Sequence, residues 1–219
     1  MIRAGLTTQS RGDLIWIVRG GRRQTYTSWA GDLLAGRYDK LMETRVFPKI
    51  FGANYDRHTE MLRSLYAPIT DMRVLELGTG SGNAAYVLNK GNTYTGVDIS
   101  PRLLKIAAKR FSAFVKASFF VASADDLPFV PESFDACICV LSLNFFPDLE
   151  RVMRGIANVL APGGTLYGCV PVATRAARRI RGTQISEPML CDLMRRHGIR
   201  FTPVGDMNGA LLYFTAQRI

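Results

Sequence analysis

Residues 74–88, VLELGTGSGNAAYVL, decide the fold of this chain. An apolar strand runs into a turn with glycine at every second place (Gly78, Gly80, Gly82), and the pattern after it predicts a helix. Glycines at that spacing give a turn without β-carbons, so a ligand can lie against bare backbone and the N-terminus of the next helix. Such a turn binds a nucleotide-like cofactor. A dinucleotide fingerprint, GxGxxG, would put its third glycine at position 83, where the chain has Asn83. The spacing therefore weakens the dinucleotide reading.

Outward from the turn, Thr93 to Asp98 (TYTGVD) is a β-rich run that ends in a carboxylate. An acidic side chain at the carboxyl end of the second strand of a doubly wound sheet can accept both hydroxyls of a ribose, which makes Asp98 the ribose candidate. Ser100 followed by Pro101 carries helix-start chemistry, and Leu103, Leu104, Ile106, Ala107 and Ala108 supply the apolar positions behind it. A second strand–helix unit therefore follows the first.

Two more segments come next: ASADDLPF (122–129), then FDACICVLSLNFFPD (134–148) with a helical pattern to Leu160 and a turn APGGTL (161–166). With the ExGxGxG turn, these ordered segments resemble the class I S-adenosylmethionine-dependent methyltransferases, in the group that includes quinone, sterol and phospholipid methyltransferases. The resemblance covers residues 70–170. It implies a doubly wound α/β sandwich of about seven mostly parallel strands, with an antiparallel last strand from Ala210 to Thr215, and S-adenosylmethionine as cofactor. The cofactor residues it implies are Glu76, Gly78, Thr79, Gly80, Gly82, Asp98, Ile99, Ser123, Ala124 and Leu141.

One position departs from the family pattern. An aspartate five residues before the proline of the LPF triplet usually accepts from the adenine amino group, and here that place is Ser123. A serine hydroxyl still accepts, with roughly half the strength of a charge-assisted bond. Packing by Ile99 and backbone at Ala124 are expected to carry more of the recognition.

Composition bounds the rest. The chain has 219 residues with 47% apolar content, enough for one α/β domain with a sizeable core, and its apolar runs are too short to span a bilayer. With no signal-peptide pattern either, a cytoplasmic location is expected. Cys137 and Cys139 share a face of a predicted buried strand, and Cys169 and Cys191 lie elsewhere, without metal-ligand spacing. They read as reduced structural thiols, and no metal is expected. His58 and His197 read as surface or helix-end residues. Net charge is +10, and residues 71–170 carry 9 basic and 9 acidic residues, so the flanks hold the whole excess. An anionic partner, such as a lipid headgroup, an anionic membrane met peripherally, or nucleic acid as the lesser candidate, competes with a merely soluble basic surface.

The flanks divide the chain into an N-terminal hairpin and helical substrate lid (1–69) and a cofactor core (70–219). Residues 1–13 read as poorly ordered. Leu14–Val18, Gly20-Gly21 and Arg22–Thr27 suggest a hairpin. A helix capped at Ser28 or Asp32 is expected to run through Leu33, Leu34, Tyr38, Leu41 and Met42 to Phe47, where Pro48 breaks or kinks it, and another covers 54–66. Val46, Phe47, Ile50 and Phe51 form either a packed face or, with Arg45 and Lys49, an interfacial one. The tail offers a basic run, ATRAARRIRG (173–182), a helix capped near Ser186 and a closing pair of strands.

Methyl transfer from a sulfonium needs alignment and a dry site more than a triad or a metal. Tyr38 from the lid, with Ser142 and Asn144 at the end of the fourth core strand, are the catalytic candidates. The leading expectation is a methyltransferase acting on a small molecule or lipid headgroup. The alternatives are an RNA or protein methyltransferase, or a catalytically inactive cofactor-binding interaction protein.

Overall fold

The structure, a computed structural model, describes residues 2–27, 32, 35–172 and 182–219. Seven strands form the core: β4 (Arg73–Leu77), β5 (Thr93–Asp98), β6 (Lys116–Val121), β7 (Phe134–Val140), β8 (Leu160–Pro171), β9 (Ile199–Met207) and β10 (Leu211–Arg218). Three N-terminal strands join the same sheet: β1 (Leu6–Arg11), β2 (Leu14–Arg19) and the two-residue β3 (Arg22–Arg23). The order is β1-β2-β6-β5-β4-β7-β8-β10-β9, with β3 on β2. Strands β6 to β8 run parallel through β5, β4 and β7, and β10 is antiparallel to both β8 and β9. Successive strands step one way from β4 to β6 and the other way from β7, so the reversal lies beside β4, where open α/β sheets bind ligands.

The central strands β4, β5 and β7 are buried on both faces along most of their length, as parallel strands covered by helices must be. Leu75 and Leu77 pack into one apolar cluster, and Val74, Tyr94 and Ile138 into the other. The helices are α1 (Tyr38–Leu41), α2 (Tyr55–Tyr66), α3 (Pro101–Arg110), α4 (Leu149–Val159) and α5 (Glu187–Arg196). Their starts follow the sequence chemistry: Asn54, Ser100 and Ser186 cap α2, α3 and α5 by accepting from backbone N–H groups. His197 closes α5 and meets Glu150 at 2.7 Å, the helix-end role expected of it. Cys137, Cys139 and Cys169 are buried free thiols, and Cys191 is exposed.

Several expectations are corrected. Residues 6–11 are ordered as β1, because β2 pairs with them on one side and with β6 on the other, turning the segment into an extension of the sheet rather than a loose end. The sheet therefore has ten strands, the expected seven of the core and three N-terminal ones added at its edge. The glycine turn leads into a four-residue 3-10 turn, Asn83–Tyr86, rather than a longer helix, since the chain must return to β5 by Thr93. Pro48 does not end the lid helix: Met42–Phe51 continues from α1 as a π-helix that contains it. The APGGTL segment is the irregular start of β8, where pairing jumps from Phe134↔Leu160 to Ala136↔Thr165. Phe47 and Phe51 are buried, so that face of the lid packs inward and contact with a membrane gains no support from it. Ser28, Leu33, Leu34 and the arginines of 173–181 lie outside the described residues.

Candidate functional site

Two cavities meet at the reversal of the sheet. The outer one, of about 380 Å³, opens between the carboxyl ends of β5, β6 and β7, and is lined by Asp98, Ile99, Ser123, Ala124 and Phe145. The inner one, of about 250 Å³, lies under the lid and is lined by Glu76, Thr79, His58 and a group of tyrosines. Tyr38, Gly78, Gly80, Leu141 and Ser142 line both.

The glycines divide their work. A β-carbon on Gly78 would sit 2.3 Å from Ser142 Oγ, so this glycine lets β7 close on the turn. Gly80, at φ +55°, would place a β-carbon with only Gly78 O at 3.9 Å within reach, so the space beside it is open cavity. Gly82 lines neither cavity. A β-carbon there would meet Ala107 Cα at 2.8 Å, which makes Gly82 a packing glycine that brings α3 against the turn and corrects its expected place among cofactor residues.

Asp98 is anchored by the turn it faces. Its Oδ2 accepts the Gly80 N–H at 2.8 Å and its Oδ1 accepts the Ser100 N–H at 2.8 Å. Burial raises its pKa, and those backbone donors oppose the rise. Each oxygen keeps capacity to accept a further hydroxyl. Leu141 adopts φ +55°, an unusual conformation for a branched residue, held by its N–H on Cys169 O at 2.7 Å. Such positions cost about 1–3 kcal/mol and concentrate at ligand sites.

The inner cavity is aromatic and carries little net charge. Burial pushes Glu76 up to about 8 in spite of a hydrogen bond from the Tyr94 hydroxyl, so its carboxyl is largely protonated at neutral pH. Burial lifts Tyr38 to about 12 and lowers His58 to about 4. His58 is therefore a neutral imidazole, with Nδ1 2.6 Å from Tyr213 Oη and the Phe47 ring 4.7 Å away. Its burial corrects the surface reading of this histidine. At the rim, Asp39 accepts from Arg110, Ser81 and Asn83, which ties the lid to the glycine turn and the end of α3. Burial alone would raise the Asp39 pKa, but these donors outweigh it and hold it low.

Of the catalytic candidates, Tyr38 and Ser142 stand in the wall shared by the cavities, and Asn144 does not. Asn144 is buried beneath residues 182–183, where its carbonyl accepts the Thr183 N–H at 2.7 Å. Asp39, Tyr55, His58, Arg110 and Thr27 also line the cavities and were not singled out as site residues. Asp39 directly follows Tyr38, the lid residue that the sequence did single out.

The site fits an adenosyl cofactor on its own terms. A bare-backbone glycine at the mouth, a buried carboxylate at the end of the second core strand and a cavity within the usual range for ligand pockets (about 300–1,000 Å³) converge on one opening. Among the described residues, no cluster of three or more histidine, cysteine, aspartate or glutamate side chains is placed to hold a metal ion.

Comparison with known proteins agrees. A methyltransferase-domain family profile matches residues 75–168. A demethylmenaquinone methyltransferase of Tropheryma whipplei is 38% identical over 97 residues, which is 44% of this chain and 40% of that one. One from Thermotoga maritima is 31% identical over 150 residues, 67% of this chain and 62% of that one. The chain thus spans about two fifths to three fifths of these relatives' length. The fold is shared with a solved S-adenosylmethionine-dependent methyltransferase from Thermotoga maritima, at TM-score 0.64 and 21% identity, over 87% of this chain and 100% of that one.

Proposed function

We propose that the chain is a class I S-adenosylmethionine-dependent methyltransferase and that it transfers a methyl group to a small, uncharged, flat acceptor bound in the inner cavity. The observation that carries this reading is the shared wall. Tyr38, Gly78, Gly80, Leu141 and Ser142 face both cavities, so a cofactor in the outer one and an acceptor in the inner one would meet there.

When bound, S-adenosylmethionine supplies an electrophilic methyl on a sulfonium. Gly78, Gly80 and Asp98 would hold its turn and ribose side, with Ile99, Ser123 and Ala124 around the base and Glu76 and Thr79 toward the inner cavity. The protein's main contribution is then alignment and exclusion of water. Ser142 Oγ lies 3.0 Å from Val140 O and 3.3 Å from Gly78 O, so it donates to backbone and turns a lone pair toward the cavities. Tyr38 keeps its proton at physiological pH and can donate to an acceptor oxygen. An acceptor that arrives protonated needs a base. Asp39 is occupied by three donors and Glu76 is protonated, which leaves the His58 imidazole to accept a hydrogen bond from the acceptor, as a weak base whose pKa burial lowers to about 4.

The acceptor class follows from the walls. Tyr38, Phe47, Tyr55 and Tyr66 present ring surface, Asp39 and Arg110 neutralise each other, and no unpaired charge calls for an ionic substrate. A chamber under a lid tied to the glycine turn favours a small molecule over RNA or a protein side chain, and its opening on the same wall as the cofactor cavity argues against a cofactor-binding interaction protein that has lost catalysis. The test is incubation with methyl-labelled cofactor and either an extract fractionated into small-molecule, lipid, RNA and protein pools or a panel of hydroxylated aromatics and quinols. Label in the small-molecule or quinol fraction is expected. Label confined to RNA or protein would overturn the acceptor assignment.

A further inference from the structure

The loop that carries Ser123 and Ala124 is held from outside the core. It leaves β6 at Val121, and β2 pairs parallel to β6 up to that residue through Leu14↔Phe119, Ile15↔Phe120 and Trp16↔Val121. Residues 2–27 then touch the loop and its continuation at several places. Ile2 bridges Phe129, and the Arg3 N–H donates to Pro128 O at 2.8 Å. The guanidiniums of Arg3 and Arg19 take one oxygen each of Asp126, at 2.6 and 2.5 Å. Tyr26 meets the same loop: burial raises the pKa of its hydroxyl, and a hydrogen bond from the Ser123 backbone opposes the rise. One residue later, Thr27 lines the outer cavity beside Ser123.

These contacts bear on the missing carboxylate. Position 123 is serine, and neither Asp125 nor Asp126 lines the cavity, Asp126 being turned to the two arginines. Among the described residues, the polar side chains left on this side of the cavity are Ser123 from the loop and Thr27 from the hairpin. A neutral pair can read a base edge only if the loop that presents it is fixed, and the hairpin supplies both the fixing and the second hydroxyl.

We propose that the N-terminal hairpin completes the adenine subsite, with Thr27 as a binding residue in its wall and Tyr26, Arg3 and Arg19 as positioning residues that hold the Ser123–Asp126 turn against the base. The inference rests on the cofactor reading above. It makes base recognition a property shared between the first 27 residues and the core, so the base side of the pocket depends on a segment that the signatures of the core do not include.

The test is calorimetric affinity for S-adenosylhomocysteine and for its inosine counterpart, in which an oxo group replaces the 6-amino group. It uses wild-type protein and the variants Thr27→Val and Tyr26→Phe, both conservative enough to fold, with thermal melts as the check. The wild type is expected to prefer the adenine ligand. Thr27→Val should lower that preference about fivefold and Tyr26→Phe about threefold, the range of a neutral hydrogen bond lost. The ratio of the two affinities cancels any general weakening of the site, so a merely structural effect would leave it unmoved. A fall in either variant supports the hairpin's part in recognition. A ratio unchanged in both, or a wild type indifferent to the base, overturns this inference alone, whereas a wild type that binds neither ligand overturns the cofactor reading as well.

Discussion

The outer and inner cavities share a wall but are assembled over different distances in the chain. In the outer cavity, Asp98 bonds the turn 18 residues away and Ser100 two residues away. In the inner one, Ser81 reaches Asp39 across 42 residues, Arg110 reaches it across 71, and His58 meets Tyr213 across 155. Loops at strand ends build the Asp98 side of the first, whereas its Ser123 side is braced by Arg3 and Arg19 across 123 and 107 residues, and side chains from opposite ends of the chain build the second. The lesson is that the Asp98 side of the outer cavity is carried by short contiguous signatures, while its Ser123 side and the inner cavity are made by tertiary packing.

The largest expected effect comes at the wall common to both. Gly78→Ala would force a β-carbon into Ser142 at φ +68°, closing the turn on both cavities. Cofactor affinity measured by calorimetry should fall about 100-fold, or ~2.7 kcal/mol. Near-normal affinity would mean that the turn is not the cradle. Gly82→Ala makes the contrast: its cost should appear first in the melting temperature, through the clash with Ala107.

Next is a pH effect confined to the inner side. Burial holds Glu76 at about 8 in the folded protein, against its ordinary 4.5. The native state keeps a proton that the unfolded chain releases between those values. The stability this group contributes is therefore fully present below about pH 4.5 and is lost as pH rises through about 8. The melting temperature of cofactor-free protein should fall between pH 5 and 8, and Glu76→Gln should flatten that fall. An identical slope in the variant would show that Glu76 is ionised in the native state.

On the outer side, Asp98→Ala should weaken cofactor binding by about 1.5–3 kcal/mol, the size of a charge-assisted hydrogen bond lost. Calorimetry on the same preparation decides it, and unchanged affinity would put the ribose elsewhere. The smallest effect sharpens the division between the cavities. His58→Phe should raise the acceptor KM about fivefold or slow turnover by that factor, while cofactor affinity stays within twofold. A matching loss of cofactor affinity would show that the two cavities are not separable.

The same division governs what was readable beforehand. The strands from β4 to β8 announce themselves because each is an apolar run ending in a turn or cap, and Asp98, Ser123, Ala124 and Leu141 stand at a strand end or within three residues of one. Gly82 was misassigned because a glycine that admits a ligand and one that admits a helix look alike in sequence; only the 2.8 Å approach of Ala107 separates them. Asn144 followed the right strand but turned under the 182–183 segment. His58 gave no warning, since one histidine in an amphipathic helix carries no mark of the tyrosine it meets 155 residues later. The first thirteen residues were missed for a similar reason: β1 is a polar strand, exposed along most of its length, and its order comes from pairing with β2.

The wall shared by the two cavities also has a thermodynamic reading. Tyr38 cannot shift to suit an occupant on one side without reshaping the other. Whatever factor a bound cofactor applies to the acceptor's affinity, the acceptor must return to the cofactor's. On the reading proposed above, a demethylated cofactor and a methylated product held side by side would each loosen or tighten the other by the same factor, so the shared wall ties the release of one to the presence of the other.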